Sequence, residues 1–119
     1  MEKRIFIYTN NTEMSQSIEK TLRKKLLKTD LRVFDEYEAD NTDLIICIGG
    51  DGTLLRLVQE YNFPKTPIVG INTGHLGFFQ EILPEKIDDF IFLYAYYSSF
   101  HFFAGSDSLK RLIQHFFKT

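Results

Sequence analysis

The stretch Gly49-Gly50-Asp51-Gly52-Thr53 combines glycines, a carboxylate and a hydroxyl between an apolar run and an amphipathic segment. Glycines after a strand let backbone N–H groups approach a phosphate because no Cβ is in the way, and the N-terminus of a following helix attracts anions. The carboxylate of Asp51 would repel that phosphate unless it accepts a proton from an attacking hydroxyl or holds Mg²⁺. Both roles belong to phosphoryl transfer. Asp is also a preferred N-cap residue, so a purely structural role stays open.

A second glycine-rich stretch, Gly70 to Phe79, follows directly on an apolar run. We expect it at the same sheet edge as the first, where ligands bind in open α/β sheets. Phe78 could stack on a base or close the core. His75 could be a general acid or base, but a hydrogen-bonded structural role is favoured. Two better-known phosphate loops are excluded: no G-x-x-x-x-G-K-[ST] is present, and Leu55 stands where the dinucleotide fingerprint requires a glycine.

Strands and helices must hold these two loops in place. Short apolar runs predict strands at 5–8, 31–34, 43–48 and 67–71, and the run at 43–48 is typical of a central parallel strand. Asn10-Asn11-Thr12 supplies turn and N-cap chemistry for a first helix. The predicted buried faces of the first and second helices are Met14, Ile18, Leu22 and Leu26, and Leu54, Leu57, Val58 and Tyr61. The order β-α-β-β-α-β predicts an α/β domain with a mainly parallel sheet and flanking helices. Further helices are predicted from Pro84 and over 109–116.

Composition excludes several classes of function. A length of 119 residues fits one domain, and a net charge of -2 argues against nucleic-acid binding. The single cysteine, Cys47, suits a reducing cytosol and predicts a cytoplasmic protein. Residues 90–106 contain no Asp, Glu, Lys or Arg, but their Tyr, Ser and His residues argue against a membrane span. We therefore expect neither nucleic acid nor a membrane as a partner.

Together the two loops resemble those of the NAD kinase family. GGDGT is shared with diacylglycerol and sphingosine kinases and more distantly with phosphofructokinases, whereas the loop from Asn72 to Phe78 is much more specific. The resemblance runs from about Lys3 to Ile91. It implies a phosphofructokinase-like α/β fold. It also implies a reaction in which ATP or polyphosphate phosphorylates the 2′-hydroxyl of the adenosine ribose of NAD, giving NADP, with Mg²⁺ offsetting the phosphate charge.

The resemblance also implies roles for individual residues. Asp51 matches the proposed general base of the family, and Gly52 beside it contacts bound NAD. Arg56 matches a position where some members contact the nucleotide, although a solvated helix charge is the alternative. Phe78 matches an aromatic residue on the adenine side of the pocket. No residue is predicted to be a dedicated metal ligand. The predicted nucleotide-binding residues are Gly49, Gly50, Asp51, Gly52, Arg56 and Phe78.

The chain departs from the family after about residue 91. Family members are longer and carry an Asn-Glu or Asn-Asp motif that grips the NAD ribose, but neither pair occurs after Phe79. They also carry a β-rich C-terminal domain that completes the pocket and builds the oligomer. We therefore expect an NAD kinase-like N-terminal domain at 1–91, an atypical aromatic-rich tail at 92–119, and no C-terminal domain.

A chain of this kind is expected to be an incomplete or inactive part of an enzyme that is homo-oligomeric when complete. Two alternatives stay open from the sequence. One is a non-catalytic module that binds a nucleotide without turnover. The other is a fragment of a diacylglycerol-type lipid kinase, against which the loop from Asn72 to Phe78 argues.

Overall fold

Six consecutive buried residues form the central strand of a parallel sheet in the computed structural model, which describes residues 3–73 and 81–99. The strands of this part of the chain run in the order β2-β1-β3-β4-β5, and all neighbours are parallel. They are β1 (Arg4–Thr9), β2 (Arg32–Phe34), β3 (Leu44–Gly49), β4 (Ile68–Asn72) and β5 (Glu81–Ile82). The helices are α1 (Glu13–Leu26), α2 (Asp51–Glu60) and α3 (Ile87–Ser99), and a 3₁₀ turn at Pro84–Lys86 precedes α3. The expected α/β fold with a parallel sheet is confirmed.

Strand β3 is buried because both its edges and both its faces are covered. It pairs with β1 on one side and with β4 on the other. Ile46 and Ile48 belong to the core on one face of the sheet, whereas Ile45 and Cys47 belong to the core on the opposite face. This alternation follows from the two-residue period of a strand. It confirms the interpretation of the apolar run as a central strand.

The two faces of the sheet are covered by different helices. On the first, which we call the α1 face, α1 and α3 pack against the sheet through Leu22, Leu26, Phe90 and Ile91. On the second, the α2 face, Leu57 of α2 packs against Phe6, Ile45 and Cys47. Tyrosines extend this smaller core; the ring centroids of Tyr37 and Tyr61 lie 5.2 Å apart with an edge-on geometry.

The opposite placement of α1 and α2 creates a crevice between two neighbouring strands. After β1 the chain turns onto the α1 face, and after the adjacent strand β3 it turns onto the α2 face. In open α/β sheets, ligands bind outside the carboxyl ends of the strands at such a switch point. The residues that follow Thr9 and Ile48 are therefore the candidates for a ligand-binding site.

The buried side of α1 differs from the predicted one at its first turn. Leu22 and Leu26 are buried as expected, but Met14 is 59% exposed and Ser15 is buried in its place. An α-helix turns about 100° per residue, so Met14 lies roughly 120° around the axis from Leu26, whereas Ser15 lies roughly 20° from it. Residues spaced four apart therefore rotate gradually away from the buried side of the helix over three turns. The prediction that Met14 is buried is wrong.

Other element boundaries shift by a few residues. Helix α2 begins at Asp51, two residues before Thr53, where the sequence predicts its start. The regular part of the last described helix begins at Ile87, after the 3₁₀ turn opened by Pro84. Strand β5 was not predicted because two residues carry no periodic pattern. The helix predicted over 109–116 lies outside the described residues. No described helix is long and apolar enough to span a membrane.

We expect Leu57 to be the residue that anchors α2 to the sheet. Leu57 is fully buried, whereas Leu55 on the same helix is 51% exposed. Leu57→Ala should lower the free energy of unfolding by about 2–5 kcal/mol, because it removes buried methyl groups and leaves a cavity. Leu55→Ala is the matched control and should change it by no more than about 0.5 kcal/mol. Urea unfolding followed by circular dichroism measures both, and equal effects would contradict the assignment.

Candidate phosphate-binding site at the carboxyl edge of the sheet

The turn that follows β3 begins with a glycine that no other residue could replace without strain. Gly49 has φ +155°, a backbone conformation that L side chains rarely adopt. A Cβ at this position would meet the hydroxyl of Thr53 and would lie 2.7 Å from the Cβ of Thr53. The chain thus passes from a buried strand into a helix with no room for a side chain at the corner.

The next two glycines have a different environment. Apart from the adjacent residues and the backbone of α2 itself, no described atom lies within 4 Å of a Cβ built on Gly50 or Gly52. Packing within the described chain therefore gives no steric reason for glycine at either position. Both positions keep the backbone of the turn accessible, which is the property that a phosphate-binding loop needs.

Asp51 is the first residue of α2, and it is half-buried. Gly50 occupies the N-cap and, as a glycine, supplies no side-chain cap to this helix. Asp51 is therefore not the N-cap residue. The first backbone N–H groups of a helix have no partner within the helix, so this end of α2 offers donors to an anion beside a carboxylate that can accept a proton.

Arg56 does not lie beside Asp51. Five residues of helix separate the two by about 7.5 Å along the axis and by roughly 140° around it. Arg56 is exposed, and its positive charge lowers the pKa of the Tyr8 hydroxyl, so the two side chains lie near each other. The predicted contact of Arg56 with a nucleotide therefore needs a ligand that extends from the turn toward Tyr8. Phe78 and His75 lie outside the described residues.

Tyr8 has its own electrostatic environment on the α2 face. Burial raises the pKa of Tyr8 above its ordinary value of 10.0, and a hydrogen bond with Glu60 and the charge of Glu60 raise it further. The positive charge of Arg56 acts in the opposite direction. Burial likewise raises the pKa of Tyr61. Burial and Glu60 therefore favour the neutral phenol of Tyr8, whereas the charge of Arg56 favours its ionised form.

Side chains from the start of α1 were not predicted as part of the site. Asn10 donates from Nδ2 to Oγ1 of Thr53 at 3.2 Å, and its Oδ1 accepts from the hydroxyl of Thr12 at 2.9 Å. Thr12 is the N-cap of α1, as expected, because its Oγ1 accepts from the backbone N–H of Ser15 at 3.2 Å. The sequence signal for Asn10 was turn chemistry alone. Its contact with Thr53 joins residues 43 positions apart, which no local pattern reveals.

Further hydrogen bonds tie this network to the end of β4. The hydroxyls of Ser15 and Thr73 lie 2.9 Å apart. The backbone N–H of Thr73 donates to the carbonyl of Gly49 at 3.2 Å. The ends of β1, β3 and β4 and the starts of α1 and α2 are thus linked by hydrogen bonds around the crevice. Thr73 begins the second glycine-rich loop, so the structure brings the start of that loop next to the first.

Comparison with known proteins identifies the family. The family model described as the ATP-NAD kinase N-terminal domain matches residues 3–95. The chain belongs to the NAD kinase family. An NAD kinase from Finegoldia magna is 44% identical over 89 residues, and the match covers 75% of this chain and 32% of that protein. An NAD kinase from Geobacillus stearothermophilus is 35% identical over 91 residues, covering 75% of this chain and 32% of the relative.

The match covers the N-terminal region of the family. The chain spans about a third of the length of these curated relatives, 32% in both cases. A solved structure of an NAD kinase from Archaeoglobus fulgidus in complex with ATP is 30% identical; the match covers 76% of this chain and 36% of that one, with a TM-score of 0.46. The family match ends at residue 95, and α3 continues to Ser99. The division of the chain at residue 91 stays a prediction.

The three glycines of the turn should respond differently to alanine. Gly49→Ala should lower the free energy of unfolding by about 1–3 kcal/mol, because alanine cannot adopt this backbone conformation without strain. The matched control is Gly52→Ala, which adds the same methyl group in open space within helix α2. It should leave the free energy of unfolding unchanged or raise it by up to about 1 kcal/mol. Thermal unfolding compares the two, and a stable Gly49→Ala variant would refute the strained conformation.

The environment of Tyr8 predicts a loss of stability in alkali. A tyrosine whose pKa is higher in the folded state stabilises the fold fully below its unfolded pKa, near 10.0. That contribution is lost as the pH rises through the folded pKa, because the unfolded state then releases its proton more readily. The free energy of unfolding should therefore decrease less steeply above pH 10.0 in Tyr8→Phe than in the wild type.

Two further variants identify the cause. Glu60→Gln should also reduce the alkaline loss, since the negative charge of Glu60 contributes to the raised pKa of Tyr8. Glu85→Gln changes an exposed carboxylate on the 3₁₀ turn and serves as the control. Urea unfolding on both sides of the phenol pKa measures the effect. Identical pH profiles for wild type and Tyr8→Phe would show that Tyr8 does not titrate differently in the two states.

Proposed function

We propose that this chain supplies the phosphate-binding turn and the general base of an NAD kinase. The reaction transfers the terminal phosphoryl group of ATP, or of polyphosphate, to the 2′-hydroxyl of the adenosine ribose of NAD, giving NADP. One observation carries the proposal. Asp51 begins a helix at the switch-point crevice, between two glycines that no described atom crowds.

The backbone of the turn is suited to bind the nucleotide phosphates. The N-cap residue of α2 is Gly50, which has no side chain to bond the first N–H groups of the helix, so we assign these N–H groups as donors to the phosphate. The positive end of a helix dipole adds attraction for an anion. Gly50 and Gly52 let a phosphate approach the backbone because neither carries a Cβ. We propose that Gly49, Gly50, Asp51 and Gly52 form the nucleotide-binding turn, with Gly49 fixing its geometry.

Asp51 is the group that can activate the attacking hydroxyl. The proton of the ribose 2′-hydroxyl passes to the Asp51 carboxylate while the ribose oxygen bonds to the terminal phosphorus. The bond from that phosphorus to the bridging oxygen breaks at the same time, and ADP leaves with the electron pair. Little covalent chemistry falls to the protein in such a transfer, so positioning and charge account for most of the rate. A carboxylate fixed at the start of a helix meets the positioning requirement.

The role proposed for Mg²⁺ follows from the few carboxylates at the turn. The described residues contain no group of three or more His, Cys, Asp or Glu side chains that could hold a metal ion. Mg²⁺ is commonly bound by one or two carboxylates together with substrate phosphates, not by an all-protein cage. This donor set fits an ion that arrives with ATP and neutralises its phosphates, with Asp51 as the nearby protein carboxylate.

Arg56 and Phe78 complete the proposal. Arg56 is exposed on α2 and carries a charge that a nucleotide phosphate or ribose could reach. The role of Phe78 on the adenine side of the pocket rests on the family alone, as do a homo-oligomeric state and a cytoplasmic location for the enzyme. Membership of the NAD kinase family favours this reaction over that of a lipid kinase.

The decisive experiment places this region in a complete enzyme. The matching N-terminal region of the Finegoldia magna NAD kinase, 89 residues long, is replaced by that of this chain. The chimera should form NADP from NAD and MgATP. Asp51→Asn should lower its kcat by about 10²–10⁴-fold, because the general base is lost. Circular dichroism should show that the variant remains folded.

The control and the contrary outcome are specific. Asp89→Asn removes an exposed carboxylate from α3 and should leave kcat unchanged. An Asp51→Asn chimera that turns over as fast as its parent would exclude Asp51 as the base. The same assay on the chain of 119 residues measures directly whether it forms NADP by itself.

A further inference from the structure

We propose that Asn10 is a positioning residue for the phosphate turn. Its side-chain amide holds the first turn of α2 against the end of β1, and so it sets the direction of Asp51 and of the neighbouring N–H groups. The functional part of this inference rests on the proposed function, since it concerns the same site. Asn10 acts through Thr53 and does not itself touch the substrate.

Asn10 lies where the chain separates onto the two faces of the sheet. The last paired residues of β1 and β3 are Thr9 and Ile48. Beyond them, the backbone N–H of Asn10 donates to the carbonyl of Ile48 at 3.2 Å. The side chain of Asn10 then reaches Oγ1 of Thr53 at 3.2 Å, on the opposite side of the crevice. This side-chain hydrogen bond therefore joins the segment that follows β1 to the first turn of α2.

The orientation of the Asn10 amide is fixed by its other partners. Oδ1 of Asn10 accepts from the backbone N–H of Thr12 at 3.2 Å and from the hydroxyl of Thr12 at 2.9 Å. Because a backbone N–H can only donate, this end of the amide must be the oxygen. The NH₂ group is therefore directed toward Thr53. Thr12 in turn is fixed as the N-cap of α1.

Thr53 connects Asn10 to the phosphate turn. It is 4% exposed and is the third residue of α2, two residues after Asp51. The N-cap of α2 is a glycine and supplies no side-chain hydrogen bond, and the hydrogen bond from Asn10 to Thr53 is a side-chain restraint on the first turn. Displacement of a reacting group by about 1 Å can cost on the order of 10²-fold in rate. A loosened first turn would move Asp51 and the phosphate-binding N–H groups together.

The first test measures local opening in the chain of 119 residues by amide hydrogen exchange. The N–H of Leu54 bonds to the carbonyl of Gly50 in the first turn, and that of Tyr61 bonds to Leu57 at the other end of α2. Asn10→Ala should speed exchange at Leu54 by about 2- to 10-fold, the loss expected for one hydrogen bond. Exchange at Tyr61 should not change. The neighbouring Asn11→Ala removes an exposed amide and should change neither rate.

A second variant separates the hydrogen bond from a general loss of stability. Thr53→Val keeps the shape of the side chain and removes the hydroxyl, so it should speed exchange at Leu54 as Asn10→Ala does. The double variant should exchange no faster than either single one, because both remove the same interaction. Equal acceleration at Leu54 and Tyr61, no acceleration at Leu54, or additive effects would each overturn the proposal.

Binding of MgATP distinguishes positioning from direct contact. If Asn10 positions the turn, Asn10→Ala should weaken MgATP binding by about 2- to 10-fold and also accelerate exchange at Leu54. Weaker binding with unchanged exchange would show that Asn10 touches the ligand and would refute the positioning role. Failure of both the wild-type chain and the chimera with the Finegoldia magna enzyme to bind MgATP would count against the proposed function, and the exchange experiment would still decide whether Asn10 holds the turn.

Discussion

The close approach of Gly49 to Thr53 is the constraint on which the site depends. Strand β3 is buried along its whole length, and α2 must leave it immediately to cover the α2 face. The corner is so tight that a Cβ on Gly49 would lie 2.7 Å from that of Thr53. Because a backbone this confined has little freedom, the position of Asp51 follows from the position of the strand. The chemistry of the turn is thus linked directly to the core.

Two kinds of interaction hold α2 against the sheet, and they differ in the free energy that each contributes. Burial of Leu57 against Phe6, Ile45 and Cys47 contributes on the order of 2 kcal/mol or more and keeps the helix on the sheet. A hydrogen bond such as that from Asn10 to Thr53 contributes about 0.5–1.5 kcal/mol net. The hydrophobic contact is not directional, whereas the hydrogen bond depends on angle and distance. The packing of Leu57 therefore keeps α2 against the sheet, and the hydrogen bond from Asn10 to Thr53 orients its first turn.

The features predicted correctly from the sequence are those encoded by neighbouring residues. The apolar run of β3 and the glycine turn after it lie within about ten positions, and both are confirmed as a strand and the start of a helix. Met14 was misplaced because a four-residue repeat only approximates the helical period. The contacts of Asn10 with Thr53 and of Ser15 with Thr73 could not be predicted, since they join residues 43 and 58 positions apart. Only the order of the strands brings them together.

The crevice is bordered by the starts of two helices, and these are not equivalent. At α1, the hydroxyl of Thr12 accepts from the backbone N–H of Ser15, so a side chain already uses part of that helix end. At α2, the N-cap residue is Gly50, which has no side chain to cap the helix, and neither Gly50 nor Gly52 carries a Cβ that would cover the backbone. In the function proposed here, a phosphate entering the crevice is bound by the start of α2, beside Asp51. Asn10 and Thr12 lie at the start of α1, where hydrogen bonds already fix them, so in this arrangement they support the turn from the opposite side of the crevice.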